Sequence, residues 1–324
     1  MKPPFNITTK ILNLSVEISL IIGELQLEME RNLHLRRENR LRSIQSSLAI
    51  ENNSLTLEQV TAIIEGKRVL GKPQEIQEVK NAFAAYEMIL SYNPYSTEDF
   101  LKAHQLMTDT LIEHAGEFRQ KDVGIFDTKG NVVHMGARPR FVQSLFQELF
   151  EWAKDSDVSD LIKSCVVHYE IEMIHPFADG NGRIGRLWKS VILSKWNSLF
   201  AWLPIETIVY ENQQGYYHAL AESDKQNDST VFIEFMLSII HQTLQQYMPN
   251  KMSDKMSDKE NEAFMIISAF LSTHEFVTNR DAVKLLDKSE ATVRRYFSKF
   301  VSIGLLESVG VRKERKYRFM KNER

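Results

Sequence analysis

The sequence has little of several features that would define its class. It contains one cysteine, Cys165, in 324 residues. A single thiol cannot form an internal disulfide or a cysteine-based metal cluster, and this favours a reducing compartment. No apolar run approaches the roughly 20 residues that span a bilayer, and the first residues lack the apolar core of a signal peptide. We therefore expect a cytoplasmic protein without a membrane attachment.

An excess of charge of one sign is also lacking, because 40 Lys and Arg stand against 43 Asp and Glu, a net charge of −3. The global field therefore does not draw the chain to nucleic acid or membrane. What is present is 43% hydrophobic and 26% charged residues, the composition of a globular protein with two or three domains. Apolar residues recur at helical spacing along most of the chain, which predicts a mainly α fold.

One stretch, residues 175–186, has the sequence HPFADGNGRIGR. The apolar pattern after it predicts a helix that begins near Gly182, with free N–H groups directed at the turn. Arg183 and Arg186 share a face of this helix, but a cation in the first turn opposes the helix dipole. Because guanidinium groups bind phosphate oxygens bidentately, we interpret the stretch as a polyphosphate site.

Two other interpretations explain fewer of these residues. Gly180, Gly182 and Gly185 match the dinucleotide-binding pattern G-x-G-x-x-G, but that pattern requires a preceding strand. Residues 160–174 favour a helix instead. A plain glycine-rich turn between two core helices accounts for the glycines but not for the arginines, the carboxylate and the histidine.

With every position filled, the stretch resembles the Fic family (Fido domain) signature H-x-F-x-[DE]-G-N-G-R-x-x-R. The resemblance implies a Fic-type helical bundle with a β-hairpin flap, over residues 96–248 as the catalytic domain. It implies a nucleotidyltransferase that moves AMP from ATP, with Mg²⁺, to a Ser, Thr or Tyr hydroxyl of a target protein or of itself. His175 would be the general base and Asp179 the Mg²⁺ ligand. Further ATP contacts would come from Gly180, Asn181, Gly182, Arg183 and Arg186.

Two further segments resemble nucleotide-facing parts of this family. Residues 116–126 and 132–135 flank a Gly-Asn turn and predict a hairpin, which corresponds to a flap that clamps an extended target by strand addition. Where the family often has a Pro pair after the flap, this chain has Ala137-Arg138-Pro139-Arg140. The resemblance implies nucleotide contacts by Asn131, Val132, Val133 and His134 of the flap, and by Tyr216, Tyr217 and Asp224 on the adenine side.

Residues 1–95 predict an N-terminal helical region that ends in a regulatory motif. Residues 47–52 resemble the inhibitory motif [ST]-x-x-x-E-[GN] found beside many Fic domains, here with Ser47, Glu51 and Asn52. We expect Glu51 to pair with Arg186, to occupy the place of the ATP γ-phosphate and to hold ATP in an unproductive pose.

Residues 249–324 predict a small winged helix-turn-helix domain. Its second helix carries the candidate DNA-binding residues Arg294, Arg295 and Lys299, while protein contacts or a homodimer remain equally open. Two alternative functions therefore stand beside the transferase. One is a DNA-binding transcriptional regulator that senses nucleotide, and the other is removal of AMP, with Glu51 activating water.

Overall fold

The computed structural model describes residues 2–29, 33–126, 132–247, 257–271, 274–302, 305–310 and 316–319. The chain forms two compact units, Met1–Tyr247 and Met248–Arg324. The described part is mainly helical, as the sequence predicts. Within it, no helix has the length and apolar content needed to cross a membrane.

The first unit contains eleven of the described α-helices and a two-stranded sheet. The helices are α1 Thr9–Met29, α2 Leu33–Ile50, α3 Leu57–Ile64, α4 Pro73–Glu87, α5 Thr97–Thr108, α6 Pro139–Asp155, α7 Asp160–Ile174, α8 Asn181–Trp196, α9 Ile205–Glu211, α10 Gln213–Gln226 and α11 Thr230–Tyr247. The strands are β1 Gly124–Phe126 and β2 Val132–Met135. The start of α5 follows from local chemistry, because the Ser96 side chain accepts the Asp99 N–H at 3.2 Å and so caps the helix.

Helix α7 lies at the centre of this unit and packs on α6, α8 and α11. Nearly all its residues are buried, which is the expected property of a helix without a solvent-facing side. An aromatic cluster lies beside its C-terminal end and includes Phe100, Phe146, Phe177 and Trp188, all fully buried. Phe177 belongs to the loop 175–180, so this cluster anchors that loop between α7 and α8.

The predicted hairpin is present, but its first strand is shorter than the sequence indicates. Strands β1 and β2 are antiparallel, with Ile125 opposite His134. The expected strand from residue 116 begins only at Gly124, because the preceding backbone is engaged elsewhere. Gly116 donates its N–H to Nδ1 of His104 at 2.9 Å. The predicted turn falls on residues 127–131, outside the described residues, and so does Asn131.

The second unit combines three described helices with a three-stranded sheet. These elements are α12 Asp258–Leu271, β3 Val277–Thr278, α13 Asn279–Leu286, α14 Glu290–Ser302, β4 Leu306–Val309 and β5 Lys316–Phe319. The antiparallel strand order is β3-β5-β4, and Ser289 caps α14 by accepting the Thr292 N–H at 3.3 Å. The assignment of this unit as a winged-helix domain stays a prediction.

Candidate functional site

The backbone at His175 has a left-handed conformation, with φ 51° and ψ 61°. A residue other than glycine adopts this conformation at an energetic cost and needs support from its surroundings. Arg119 supplies that support, because its Nε–H donates to the His175 carbonyl at 2.7 Å and its Nη2 group donates to the Ala137 carbonyl. Arg119 is 5% exposed, and no sequence motif marks it for this role. It fixes the end of α7 and the base of the flap together.

The side chain of Asn181 closes the loop upon itself. Its Oδ1 accepts the Phe177 N–H at 2.8 Å and its Nδ2 donates to the Phe177 carbonyl at 2.9 Å. The residue is 2% exposed. Its amide is therefore committed to loop structure, and only its backbone N–H is left for an anion.

The N-terminus of α8 carries uncapped N–H groups. Gly180, at φ 83°, is the N-cap and provides no side-chain cap. The first intrahelical bond runs from Ile184 N–H to the Gly180 carbonyl at 3.0 Å. The N–H groups of residues 181–183 precede it and make the positive end of the helix an anion-binding position. Arg183 lies in the same turn, held by Asp179 at 3.2 Å and by Glu78 at 3.8 Å.

Arg186 is held by the segment that the sequence singled out as inhibitory. Its Nη2 donates to Glu51 Oε1 at 2.8 Å and to the Ser47 carbonyl at 2.9 Å, and its Nε donates to Ser47 Oγ at 3.1 Å. Arg186 is 1% exposed. Burial lowers the pKa of its guanidinium, but the combined influence of Glu51, Tyr216 and Glu172 outweighs burial and leaves the pKa raised. Asn52, which follows Glu51, has an exposed side chain and a left-handed backbone with φ 66°.

The Glu51 carboxylate also lies against the first turn of α8. A Cβ built on Gly182 would lie 2.4 Å from Glu51 Oε1. No side chain fits at that position while the carboxylate is there. The acid therefore occupies the space directly over the uncapped helix end.

The His175 imidazole is oriented by its own helix. Its Nδ1 lies 3.3 Å from the Glu172 carbonyl. A carbonyl only accepts, so Nδ1 carries the proton and Nε2 keeps a free lone pair. Burial lowers the pKa of His175, although the Glu172 charge opposes this shift. The ring is therefore neutral at pH 7 and is able to accept a proton.

A buried carboxyl that sequence reasoning missed lies beneath the loop. Glu172 is 6% exposed, and among the described residues its Oε1 has no hydrogen-bond partner. Burial raises its pKa to about 7. A Cβ on Gly185 would come within 2.7 Å of this oxygen, which explains the third glycine of the stretch. The signal available in the sequence was an acid in an apolar run, one helical turn before His175.

The flap is joined to two helices through His134. Its Nδ1 lies 3.0 Å from Asp224 Oδ2 on α10, and its Nε2 lies 2.9 Å from the Met173 carbonyl on α7. Two predicted nucleotide-contacting residues thus contact each other. Val132 and Val133 lie beside His134 in β2.

The two candidate tyrosines differ in exposure. Tyr216 is 1% exposed, and its hydroxyl lies 3.0 Å from Nε2 of the buried His168. Tyr217 is 48% exposed, and its hydroxyl is 3.5 Å from the Ile50 carbonyl. Of the pair, only Tyr217 presents an accessible ring to a ligand, because Tyr216 belongs to the core.

A magnesium ligand is available at Asp179. Its side chain is 62% exposed and its Oδ1 accepts the Gly180 N–H at 2.6 Å. Among the described residues, no three His, Cys, Asp or Glu side chains are grouped to hold a metal. One accessible carboxylate beside the uncapped end of α8 is the type of ligand that Mg²⁺ takes, since this ion commonly binds one or two carboxylates together with substrate phosphates.

The candidate DNA-contacting residues of the second unit differ in how freely they are available. Arg294 pairs with Glu290 at 2.6 Å, and Lys299 pairs with Glu260 at 2.9 Å. Arg295 is exposed, with its guanidinium 5.6 Å from the Tyr296 ring centroid. Two of the three predicted contacts would have to exchange a carboxylate for a phosphate.

Comparisons with known proteins identify the family to which the chain is similar. The sequence model of the Fic/DOC family matches residues 94–193. "Protein adenylyltransferase fic-1" of Caenorhabditis elegans is 25% identical over 65% of this chain and 42% of its own length. "Protein adenylyltransferase Fic" of Drosophila willistoni is 28% identical over 68% and 44%. The chain thus spans less than half of these curated relatives.

A solved structure covers the whole chain. The crystal structure of a Fic family protein from Desulfovibrio desulfuricans G20 is 39% identical, with a TM-score of 0.74 and 100% of each chain covered. The chain described here belongs to the Fic/DOC family.

Proposed function

We propose that this chain is a protein adenylyltransferase, which transfers AMP from ATP to a hydroxyl side chain of a protein. The proposal rests on one convergence. The uncapped end of α8, two arginines and a neutral histidine meet within residues 175–186. The curated relatives are named protein adenylyltransferases, which supports the same activity.

The triphosphate binds along the first turn of α8. The N–H groups of residues 181–183 bind the α- and β-phosphates. Arg183 neutralises the β- and γ-phosphates, and Arg186 binds the γ-phosphate with its planar fork. The adenine of ATP lies on the side of Tyr217 and Asp224.

The reaction places an incoming hydroxyl between His175 and the α-phosphorus. The hydroxyl oxygen attacks that phosphorus, and its proton passes to Nε2 of His175. The bond from the α-phosphorus to the bridging oxygen breaks, and pyrophosphate leaves. Asp179 would hold Mg²⁺, which neutralises phosphate charge. The protein contributes mainly positioning and charge neutralisation, as phosphoryl transfer requires.

In the resting chain Glu51 inhibits this reaction. Its carboxylate pairs with Arg186 at 2.8 Å and occupies the space over Gly182 where a γ-phosphate would lie. ATP that binds beside the carboxylate therefore has its α-phosphate out of line for attack.

The proposal is tested with ATP labelled on the α- or the γ-phosphate, in the presence of Mg²⁺. The Glu51→Gly variant should modify itself with the α label only, much faster than wild type, and mass spectrometry should find one added AMP. His175→Ala should lose transfer and keep ATP binding. Transfer of the γ label, or no transfer by any variant, overturns the proposal. If wild type releases AMP from premodified protein and Glu51→Gly transfers none, the activity is AMP removal and not AMP transfer.

A further inference from the structure

The segment that leaves the flap passes directly over His175. A Cβ built on Gly136 would lie 3.0 Å from the His175 Cβ and 2.8 Å from Arg119 Nη2. The next residue, Ala137, donates its N–H to the Ile174 carbonyl at 3.2 Å. The connection from β2 to α6 is therefore fixed against the residue proposed as the base.

Two unpaired cations follow that glycine. Arg138 and Arg140 are both exposed, and neither forms an ion pair with a carboxylate of the described residues, in contrast to Arg183 and Arg186. The Arg140 guanidinium lies 4.6 Å from the ring centroid of Phe141.

Exposed apolar side chains flank these arginines. Met135, the last residue of β2, is 51% exposed, and Phe141 is 46% exposed. We refer to Met135, Arg138, Arg140 and Phe141 together as the flap-base patch. It offers positive charge and apolar surface in a protein whose net charge is negative.

The position of the patch determines which part of a substrate it meets. Arg138 is two residues from Gly136, so their Cα atoms are at most about 7 Å apart. An extended chain advances about 3.3 Å per residue. When a hydroxyl side chain lies at His175, residues one to three positions away from it come within reach of a long arginine side chain.

We propose that the flap-base patch binds an acidic side chain of the target protein, one to three residues from the modified hydroxyl, in an extended segment. This rests on the proposed function and names its target class. A carboxylate accepts two parallel hydrogen bonds from a guanidinium, and Met135 and Phe141 cover the apolar neighbours of that residue. Since the patch is exposed, it acts mainly on association and KM, and salt weakens it.

The test uses the full chain with Glu51→Gly and three extended peptides that contain one Thr and differ only in flanking Glu, Gln or Lys. We expect kcat/KM to be about ten-fold higher for the Glu peptide than for the Lys peptide, an effect of about 1.4 kcal/mol. The difference should lie mainly in KM and shrink with added salt. Adding R138E and R140E should reverse the order, because carboxylates then face the peptide. These variants place acids at the start of α6, where the helix dipole favours them.

The matched control is Lys154→Glu, an exposed cation at the far end of α6, which lies about 20 Å from Arg140 and should leave the preference unchanged. Binding of fluorescent peptides, read by anisotropy, separates the two proposals. Acid-selective binding without transfer would reject the adenylyltransferase and retain the patch. Equal binding and transfer for all three peptides, or an equal loss for all three in R138E/R140E, would overturn the patch.

Discussion

Replacing Glu51 with Gln removes the only charge that the described structure pairs with Arg186, and it changes the shape of the site very little. Arg186 then becomes a buried cation held by Ser47 and a neutral amide. Removing one partner of a fully buried pair costs about 3–5 kcal/mol, whereas an exposed pair contributes less than about 1 kcal/mol. The side chains here are 1% and 39% exposed, and both Ser47 hydrogen bonds remain. We therefore expect the free energy of unfolding to fall by about 1–2 kcal/mol.

Urea unfolding followed by tryptophan fluorescence reports the unfolding of the first unit, which contains Glu51 and Arg186. All four tryptophans, at positions 152, 188, 196 and 202, belong to the first unit. Glu87→Gln is the matched control, since Glu87 is a half-exposed partner of the buried Arg40 at 3.0 Å. It should cost a similar amount of stability.

The two variants should differ in how strongly Mg-ATP stabilises them against unfolding. A triphosphate displaces the side chain at position 51 from Arg186 more easily when that side chain is a neutral amide. Mg-ATP should therefore stabilise Glu51→Gln more than wild type at the same concentration, with His175→Ala in every chain to prevent turnover. A ligand at 100 times its Kd adds about 2.7 kcal/mol. Glu87→Gln should respond to nucleotide like wild type. Unchanged stability in Glu51→Gln, or equal stabilisation of all chains by nucleotide, would refute the reasoning.

Three further outcomes follow from the geometry. Because burial lowers the pKa of His175 below its usual value of about 6.5 and only the neutral ring accepts a proton, kcat of Glu51→Gly should fall towards acid pH with a midpoint below about 6.5. A midpoint above about 7 would contradict this. Gly185→Ala should destabilise the chain by about 1–3 kcal/mol in urea unfolding, because the added carbon meets Glu172 at 2.7 Å. Gly23→Ala in α1, where an added carbon has nothing within 4 Å, should be neutral or stabilising. Asn181→Ala should lower the free energy of unfolding by about 1–3 kcal/mol, since it leaves the buried N–H and carbonyl of Phe177 without their partner. A thermal midpoint equal to that of wild type would contradict the loop role.

The sequence predicts much of this site because its information is local. The signature lies in one continuous stretch, so its loop-to-helix geometry follows from glycine positions and apolar spacing. The start of α5 at Ser96 and the start of α8 near residue 181 were predictable for the same reason. The pairing of Glu51 with Arg186 joins residues 135 positions apart, and it was predictable only because a family motif marks both.

Other contacts could not be predicted because they depend on packing. Residues 116–123, before β1, satisfy a β pattern, but the N–H groups of Gly116 and Arg119 donate to His104 and to the Pro176 carbonyl, which takes this backbone away from the hairpin. Nothing local marks Arg119 as the residue that holds the His175 carbonyl. Tyr216 and Tyr217 are chemically alike in the sequence, and only the position of α10 makes one of them core and the other accessible.

The buried carboxyl of Glu172 gives the site a negative charge that depends on pH near pH 7. With a pKa raised to about 7 by burial, this carboxyl is protonated in roughly half of the molecules at that pH. An incoming polyanion favours the protonated form, so binding should draw a proton from the buffer and tighten as the pH falls from 8 to 6. The heat of binding should then vary with the ionisation enthalpy of the buffer in Glu51→Gly, and much less once Glu172→Gln is added.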